Sequence, residues 1–274
     1  MAPSYDLTGR VVLITGATDG LGRGLAGAAA DAGATVLVHG RSQERIDATV
    51  AELDEGLSPV RAYRADLSSM AEVHRLADEV LAAEPEIHVL VNNAGIGPRT
   101  DGVERRELSA DGSELRFAVN HLAGFALAQR LLDRLRASAP ARIVNVSSLG
   151  QHPIDFDDVD LEHGYTGGRA YSQSKLAQIL YTRELAGKLE GSGVTVNALH
   201  PATYMPTKMV RSPMSTLEQG VQATLRLVAD PALEGVSGLF FDGKREARPD
   251  PQADDPEARR RLWDLSVART QSGR

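Results

Sequence analysis

Val11-Val12-Leu13-Ile14-Thr15-Gly16-Ala17-Thr18-Asp19-Gly20-Leu21-Gly22 carries a β-branched apolar run straight into a glycine-rich turn, and an alanine-rich helical stretch follows to about Ala32. A short apolar run that ends in a turn reads as a strand buried inside a parallel sheet. Strand, glycine turn and helix in that order make a cradle for a dinucleotide. The glycines permit a tight turn and close backbone approach, and the helix N-terminus offers N–H groups and positive dipole to a pyrophosphate. Gly16, Thr18, Asp19, Gly20, Leu21 and Gly22 are the candidate contacts. The competing reading is a turn whose glycines only pack helix on strand.

Outward from this stretch, strands and helices alternate. Apolar runs at Ala34–His39, Val60–Arg64, His88–Val91, Arg142–Val146, Val194–Leu199 and Gly238–Phe241 are separated by helical segments. Ser42 is placed to cap a helix over Gln43–Leu53, and Ser69-x-x-Glu72 and Ser215-x-x-Glu218 are capping-box patterns for two more. Phe117–Ala137 reads as one long helix whose apolar face serves the core or a dimer contact. Alternation of this kind predicts an α/β chain: a single doubly wound parallel sheet of about seven strands with helices on both faces. Residues 1–274 read as one domain, and 244–274 as an extension bearing a helix with Leu262, Trp263, Leu265 and Val267.

Composition narrows the function classes. The 274 residues are 42% hydrophobic and 24% charged, with a formal charge of −7, which disfavours nucleic acid or an anionic membrane as partner. No cysteine is present, so there is neither a disulfide nor a thiolate metal site, in keeping with a reducing cytoplasm. The seven histidines fall in no zinc spacing, and no catalytic metal is expected. Met1–Arg10 has no signal-peptide profile and no run reaches a membrane span, so the expected localisation is cytoplasmic.

Chemistry enters at Tyr171-Ser172-Gln173-Ser174-Lys175. Four residues apart on a helix, phenol and amine share one face. A neighbouring positive charge favours the phenolate, so Tyr171 is a candidate general acid/base. With the Thr15-Gly16-x-x-x-Gly20-x-Gly22 turn, this pattern resembles the short-chain dehydrogenase/reductase family, with matching motifs in order from about Thr8 to Gly243. That fold is the Rossmann type.

The resemblance implies roles for further residues. Asp66 and Leu67 contact adenine; Asn93, Ala94 and Gly95 of the Asn-Asn-Ala-Gly tetrad line the cofactor cleft; Asn120 interrupts its helix and orders a water beside the active-site lysine. Ser148 is the catalytic serine of Val146-Ser147-Ser148, and Lys175 binds the nicotinamide ribose as well as acting on Tyr171. Bland readings stand beside these: Asp66 as a loop residue, Asn92-Asn93 as a plain turn, Asn120 as a helix cap. After the last long strand, Pro201-Ala202 replaces the family's Pro-Gly. Pro206 stands where its threonine belongs, so Thr203 and Thr207 both remain candidates for the nicotinamide carboxamide. Tyr204, Met205, Met209 and Val210 fall in the family's substrate lid, with lid and core both open for each.

An acidic residue after the second strand holds a ribose 2′-hydroxyl, whereas an arginine accommodates a 2′-phosphate. Here the sequence is Gly40-Arg41-Ser42, so NADP(H) is favoured over NAD(H), although Asp19 stands where many NADP-preferring relatives carry a basic residue. The segment Gln151–Gly168, acidic and absent from many family members, resembles the retinol-dehydrogenase-like branch and reads as a surface flap beside the substrate. The reaction implied is hydride transfer between cofactor and a carbonyl or alcohol, with Asn120, Ser148, Tyr171 and Lys175 catalytic. An apolar substrate is expected, and a homodimer or homotetramer through the long helices, as is usual for the family. The alternative from another class is a non-catalytic NADP(H)-binding sensor or scaffold.

Overall fold

The computed structural model describes residues 5–54, 58–98, 105–206 and 213–271. Its sheet has eight strands: β1 (Val11–Ile14), β2 (Thr35–Gly40), β3 (Val60–Arg64), β4 (Val89–Asn92), β5 (Ala141–Val146), β6 (Val194–His200), β7 (Phe240–Asp242) and β8 (Arg245–Ala247). They lie in the order β3-β2-β1-β4-β5-β6-β7-β8, parallel up to β7. The eighth strand pairs antiparallel with β7 across a turn at Gly243, whose φ is +58°. Three residues carry too little pattern to separate this strand from the extension, which is why about seven were expected.

Side chains alternate between the two faces as the pleat requires. Leu13, Leu37, Leu90 and Ile143 join one core; Val12, Ile14, Val36, Val38, Val91 and Val144 join the other. Helices α1 (Gly20–Asp31), α2 (Gln43–Leu53) and α7 (Leu217–Ala229) cover the second face, and α3 (Met70–Ala83), α5 (Ala123–Ala137) and α6 (Gly167–Lys188) cover the first. Each fully buried leucine or valine contributes about 1.5–3 kcal/mol, so these two layers hold the sheet's carboxyl edge in place.

Several local expectations shift. The long helix is broken: α4 (Leu115–Phe117) passes through a π turn at Ala118–Leu122, closed by Ala123 N–H donating to the Ala118 carbonyl, before α5 begins. The α7 capping box sits one residue later than Ser215-x-x-Glu218: Thr216 accepts from Gln219 N–H at 3.2 Å, and Gln219 accepts from Thr216 N–H at 2.9 Å. Ser69 caps α3, but Glu72 turns to Asp66 N–H at 2.7 Å instead of closing the box. Ser42 precedes α2 without a side-chain capping bond.

The carboxyl-terminal helix α8 (Pro256–Gln271) lies across α6 and the π turn, touching α5 as well. Trp263 meets Phe125 edge-on at 5.1 Å and stacks on Tyr181 at 6.2 Å, while Lys188 Nζ sits 4.5 Å over its ring. The face expected to serve either core or a dimer contact is therefore taken by this chain's own helix. Of Arg259, Arg260 and Arg261, the first bonds the Ala253 carbonyl, and the last, though exposed, covers Phe156.

The insert is clamped as well. Ile154, Val159 and Leu161 are buried, Gln252 holds both the N–H and the carbonyl of Ile154, and Arg269 of α8 takes Asp160 through two bonds of 2.8 and 2.7 Å. Its other carboxylates cap turns: Asp158 accepts from Glu162 and His163 N–H, and Asp155 from Asp157 N–H. The insert is thus a surface segment pinned at Ile154 and Asp160. Among the described residues no helix is long and apolar enough to cross a membrane, and no group of three metal-ligating side chains forms.

Candidate active site

In the order observed, β1 and β4 are neighbours whose connections leave in opposite directions, which opens a crevice at their carboxyl ends. The glycine turn fills one side. Gly16 has φ +66° and Gly20 φ +49°, a left-handed backbone that L side chains rarely adopt. A Cβ at Gly22 would press into the Gly16 carbonyl and stand 2.5 Å from Asn93 Nδ2, so only glycine lets α1 approach this closely. Asp19 caps α1, its carboxylate accepting from Gly20 N–H at 2.9 Å. Opposite stands the tetrad: Thr15 Oγ1 accepts from Asn93 N–H at 3.0 Å and Ala94 N–H at 3.1 Å, and Asn93 Nδ2 donates to the Thr15 carbonyl at 2.8 Å. Asn92 extends the scaffold through Asn145 to Thr182 of α6.

His39, which sequence reading passed over, locks the turn to the sheet. Its Nδ1 accepts from Gly16 N–H at 3.2 Å, leaving Nε2–H to donate to the Ala65 carbonyl at 3.2 Å. Burial pushes this imidazole down to about 4 and His121, inside the Phe117–Phe125–Tyr181 aromatic group, down to about 3. An unfolded imidazole protonates near 6.5. Below that pH the unfolded chain binds protons that the folded chain refuses, so stability is fully present above about 6.5 and is lost as pH falls toward 4. The thermal midpoint should therefore decline between pH 7.5 and 5, before most carboxylates titrate. A flat profile over that window would contradict both assignments.

At the β2 end of the crevice Gly40 closes the strand, and a Cβ there would lie 2.6 Å from Thr18 Cγ2, so any larger residue would have to displace that side chain. Arg41 is exposed beside it. Burial acts upward on the Asp66 carboxyl, but hydrogen bonds from Ser68, with Arg41 and His39, hold it below the usual range. Asp66 Oδ1 accepts from Ser68 N–H at 2.9 Å and Leu67 is buried, so both shape the loop after β3. Ser42 and Arg41 enter α2 together.

At the other end the four expected catalytic side chains converge. Thr166 caps α6 by accepting from Arg169 N–H at 3.0 Å, and the helix so started carries Tyr171 and Lys175. The Tyr171 hydroxyl lies beside Ser148, close enough for the serine to act on the phenol, and Ser148 Oγ accepts from Gly150 N–H at 3.0 Å. Ser147 is structural, donating to the Lys175 carbonyl at 2.7 Å. Lys175 Nζ lies 5.7 Å from the Tyr171 ring centre and donates to the Val146 carbonyl at 2.8 Å and to Gln178 Oε1 at 3.1 Å. Asn120 belongs to the π turn; its Oδ1 accepts from Ile96 N–H at 2.7 Å and its Nδ2 donates to Ser174 at 2.8 Å. Gly95 stands between them, since a Cβ on it would lie 3.2 Å from Asn120 Oδ1 and 3.5 Å from Lys175 Nζ.

The phenol pKa departs from expectation. Burial raises it, with Ser148 acting downward, and burial also brings the Lys175 amine down to about 7. An amine that loses charge near neutrality cannot dominate the phenol, so the lowering expected from spacing alone is outweighed by desolvation.

Past β6, Pro201 is buried and Thr203 Oγ1 bonds His200 Nε2 at 3.1 Å. Of the lid candidates, Met205 packs against Gly220 and Leu21 while Tyr204 is exposed at φ +48°; Thr207, Met209 and Val210 lie outside the described residues. Sequence reading also missed Arg116. Fully buried, it bonds the Gly97 carbonyl at 2.9 Å and Tyr165 Oη at 2.6 Å and pairs with Glu114 at 3.5 Å, tying the loop after β4 to the end of the insert. Its only signal was an arginine at the head of an apolar helix. A groove of about 1040 Å³ opens at the opposite edge of the sheet near Arg10, His88 and Val194 and shares none of these residues.

A model of the short chain dehydrogenase family matches residues 10–217. Retinol dehydrogenase 13 of Mus musculus is 39% identical, over 95% of this chain and 84% of its own length. Retinol dehydrogenase 12 of Homo sapiens is 37% identical over 96% and 87%. Among solved structures, an uncharacterized protein from Mycobacterium paratuberculosis superposes with a TM-score of 0.81 at 29% identity, covering 98% of this chain and 96% of its own. The Pseudomonas aeruginosa RhlG/NADP active-site complex does so with a TM-score of 0.73 at 28% identity, covering 88% and 97%.

Proposed function

The chain belongs to the short chain dehydrogenase family, and from that membership we propose that it is an NADP(H)-dependent oxidoreductase acting on a carbonyl or the corresponding alcohol of an apolar molecule. The observation that carries the reading is the Ser148–Tyr171 hydroxyl pair, set on the same helix as a buried amine at the end of a glycine-lined crevice. Gly16, Gly20, Gly22 and Gly95 leave the backbone bare where a dinucleotide has to approach, so these residues fit the cofactor.

The nicotinamide, when bound, supplies the hydride in reduction and accepts it in oxidation. Tyr171 gives its proton to the substrate oxygen in reduction and takes it back in the reverse direction. A phenol held up by burial stays protonated at neutral pH, which suits the reducing direction. Ser148 donates a hydrogen bond to the same oxygen and steadies the charge that develops there. Lys175 holds the cofactor ribose and passes a proton back to the phenol through a water beside Asn120. Thr203, kept in place by His200, is the candidate for the carboxamide among the described residues.

Support for an apolar substrate comes from the retinol dehydrogenases that the chain resembles and from Leu149, half exposed next to Ser148, with Tyr204 exposed beyond β6. The same reading includes a homodimer or homotetramer, with α8 packed on α6 and part of α5.

Support for NADP(H) comes from Gly40, which puts no carboxylate at the end of β2, and from the exposed Arg41 beside it. Titration of the protein with NADPH and NADH, followed by nicotinamide fluorescence, should show NADPH bound more tightly. Arg41→Gln should cost NADPH about tenfold, as expected for a charge-assisted phosphate contact of about 1.5 kcal/mol, with little change for NADH. Equal affinities in the unaltered protein would remove the phosphate from the proposal.

A further inference from the structure

We propose that Gln178 is a positioning residue for Lys175, holding the amine charged and ready to donate into the crevice. The inference rests on the reading that this crevice takes a nicotinamide dinucleotide, and it adds a residue that no motif points to.

Gln178 follows Lys175 by three residues, on the same face of α6. Both side chains are buried. An ammonium has three N–H donors and no acceptor. Nζ gives one to the Val146 carbonyl at 2.8 Å and one to Gln178 Oε1 at 3.1 Å. Gly95, on the crevice wall, keeps side-chain atoms off the amine, since a Cβ there would lie 3.5 Å from Nζ. The third N–H is thus left for a ligand in the crevice.

An apolar side chain of similar volume would fill position 178 of this buried face equally well, but it would leave the amine with one acceptor. A buried ammonium is costly unless its donors are met. Among the described residues no carboxylate pairs with Lys175, so two neutral oxygens are what oppose the burial that brings the amine down to about 7. Tyr171 is the titratable side chain beside it on α6; Val146 of β5, Asn120 of the π turn and Gly95 of the loop after β4 bring none. The carboxamide oxygen accepts more strongly from a charged amine than from a neutral one. Gln178 therefore favours the form that keeps a donor for the ligand.

The test uses the full chain and follows the affinity for NADPH and for NADH by nicotinamide fluorescence from about pH 5.5 to 9. NADH separates the amine from the 2′-phosphate, because a phosphate monoester itself titrates at about 6. Affinity for both should fall as pH rises through the amine's range. Gln178→Met keeps the volume and removes the acceptor. It should move that fall down by about one pH unit, the tenfold change that a hydrogen bond to a charged group is worth. Gln178→Glu puts a carboxylate beside the ammonium and should move the fall upward. Should Gln178→Met fail to fold, the direction of the Gln178→Glu shift decides alone. A fall that stays in place in the variants overturns the proposal, and so does an equal loss of affinity at every pH, which marks a packing role. An unaltered protein whose affinity is flat across the range overturns it too. Failure to bind either dinucleotide at any pH is a different result: it sinks the functional reading itself, and this inference with it.

Discussion

Replacing Tyr171 by phenylalanine is expected to lower turnover by about 10²- to 10⁴-fold, the worth of a positioned acid/base group, while the affinity for NADPH stays within about twofold. The change removes one oxygen and keeps the ring, its place one turn from Lys175 and the start of α6. Ser148 loses its phenol neighbour but keeps the Gly150 contact. A structural role for Tyr171 predicts instead a parallel loss of cofactor affinity and thermal midpoint. The measurement is steady-state reduction of whichever carbonyl emerges from a screen with NADPH, alongside cofactor titration of the same preparation. Undiminished turnover would end the acid/base assignment. No turnover from the unaltered protein across ketones, aldehydes and apolar alcohols would bring forward the non-catalytic alternative.

The largest stability effect is expected at Arg116. Arg116→Met keeps most of the side-chain volume but strips a buried carboxylate, Glu114, of its cation, and leaves the Gly97 carbonyl and Tyr165 hydroxyl without their donor. Burial already pushes the Glu114 carboxyl up; Phe117 and Arg116 are what oppose it. Breaking a buried pair from one side costs about 3–5 kcal/mol, whereas removing both charges costs far less. Chemical denaturation should therefore show Arg116→Met strongly destabilised and the Glu114→Gln/Arg116→Met double variant partly recovered. Additive losses in the double variant would show that the two side chains are not coupled.

The fold, and the placing of Tyr171 and Lys175 on one helix face, could be read from sequence because both rest on local, periodic or closely spaced residues. Val11–Gly22 announces its strand and turn within a dozen positions, and Tyr171 and Lys175 are one helical turn apart whatever surrounds them. Features decided by distant partners stayed hidden. Ser215-x-x-Glu218 and Thr216-x-x-Gln219 overlap, and only the packed start of α7 chooses the second. Nothing local in the insert shows that Gln252 and Arg269, about a hundred positions on, hold it at Ile154 and Asp160. Arg116 follows no period and gains its meaning from its buried pairing with Glu114 and from Tyr165, far along the chain. The phenol pKa illustrates the same limit: spacing reveals the neighbouring charge, but burial, which outweighs it here, belongs to the assembled core.

Trp263 is the only tryptophan in the chain, and its indole lies against Phe125, Tyr181 and Lys188. The protein's long-wavelength ultraviolet emission therefore comes from one chromophore on one element. What that light reports is the seating of the carboxyl-terminal helix, separately from the sheet that far-ultraviolet dichroism follows. The molecule thus carries a built-in optical gauge for its last segment.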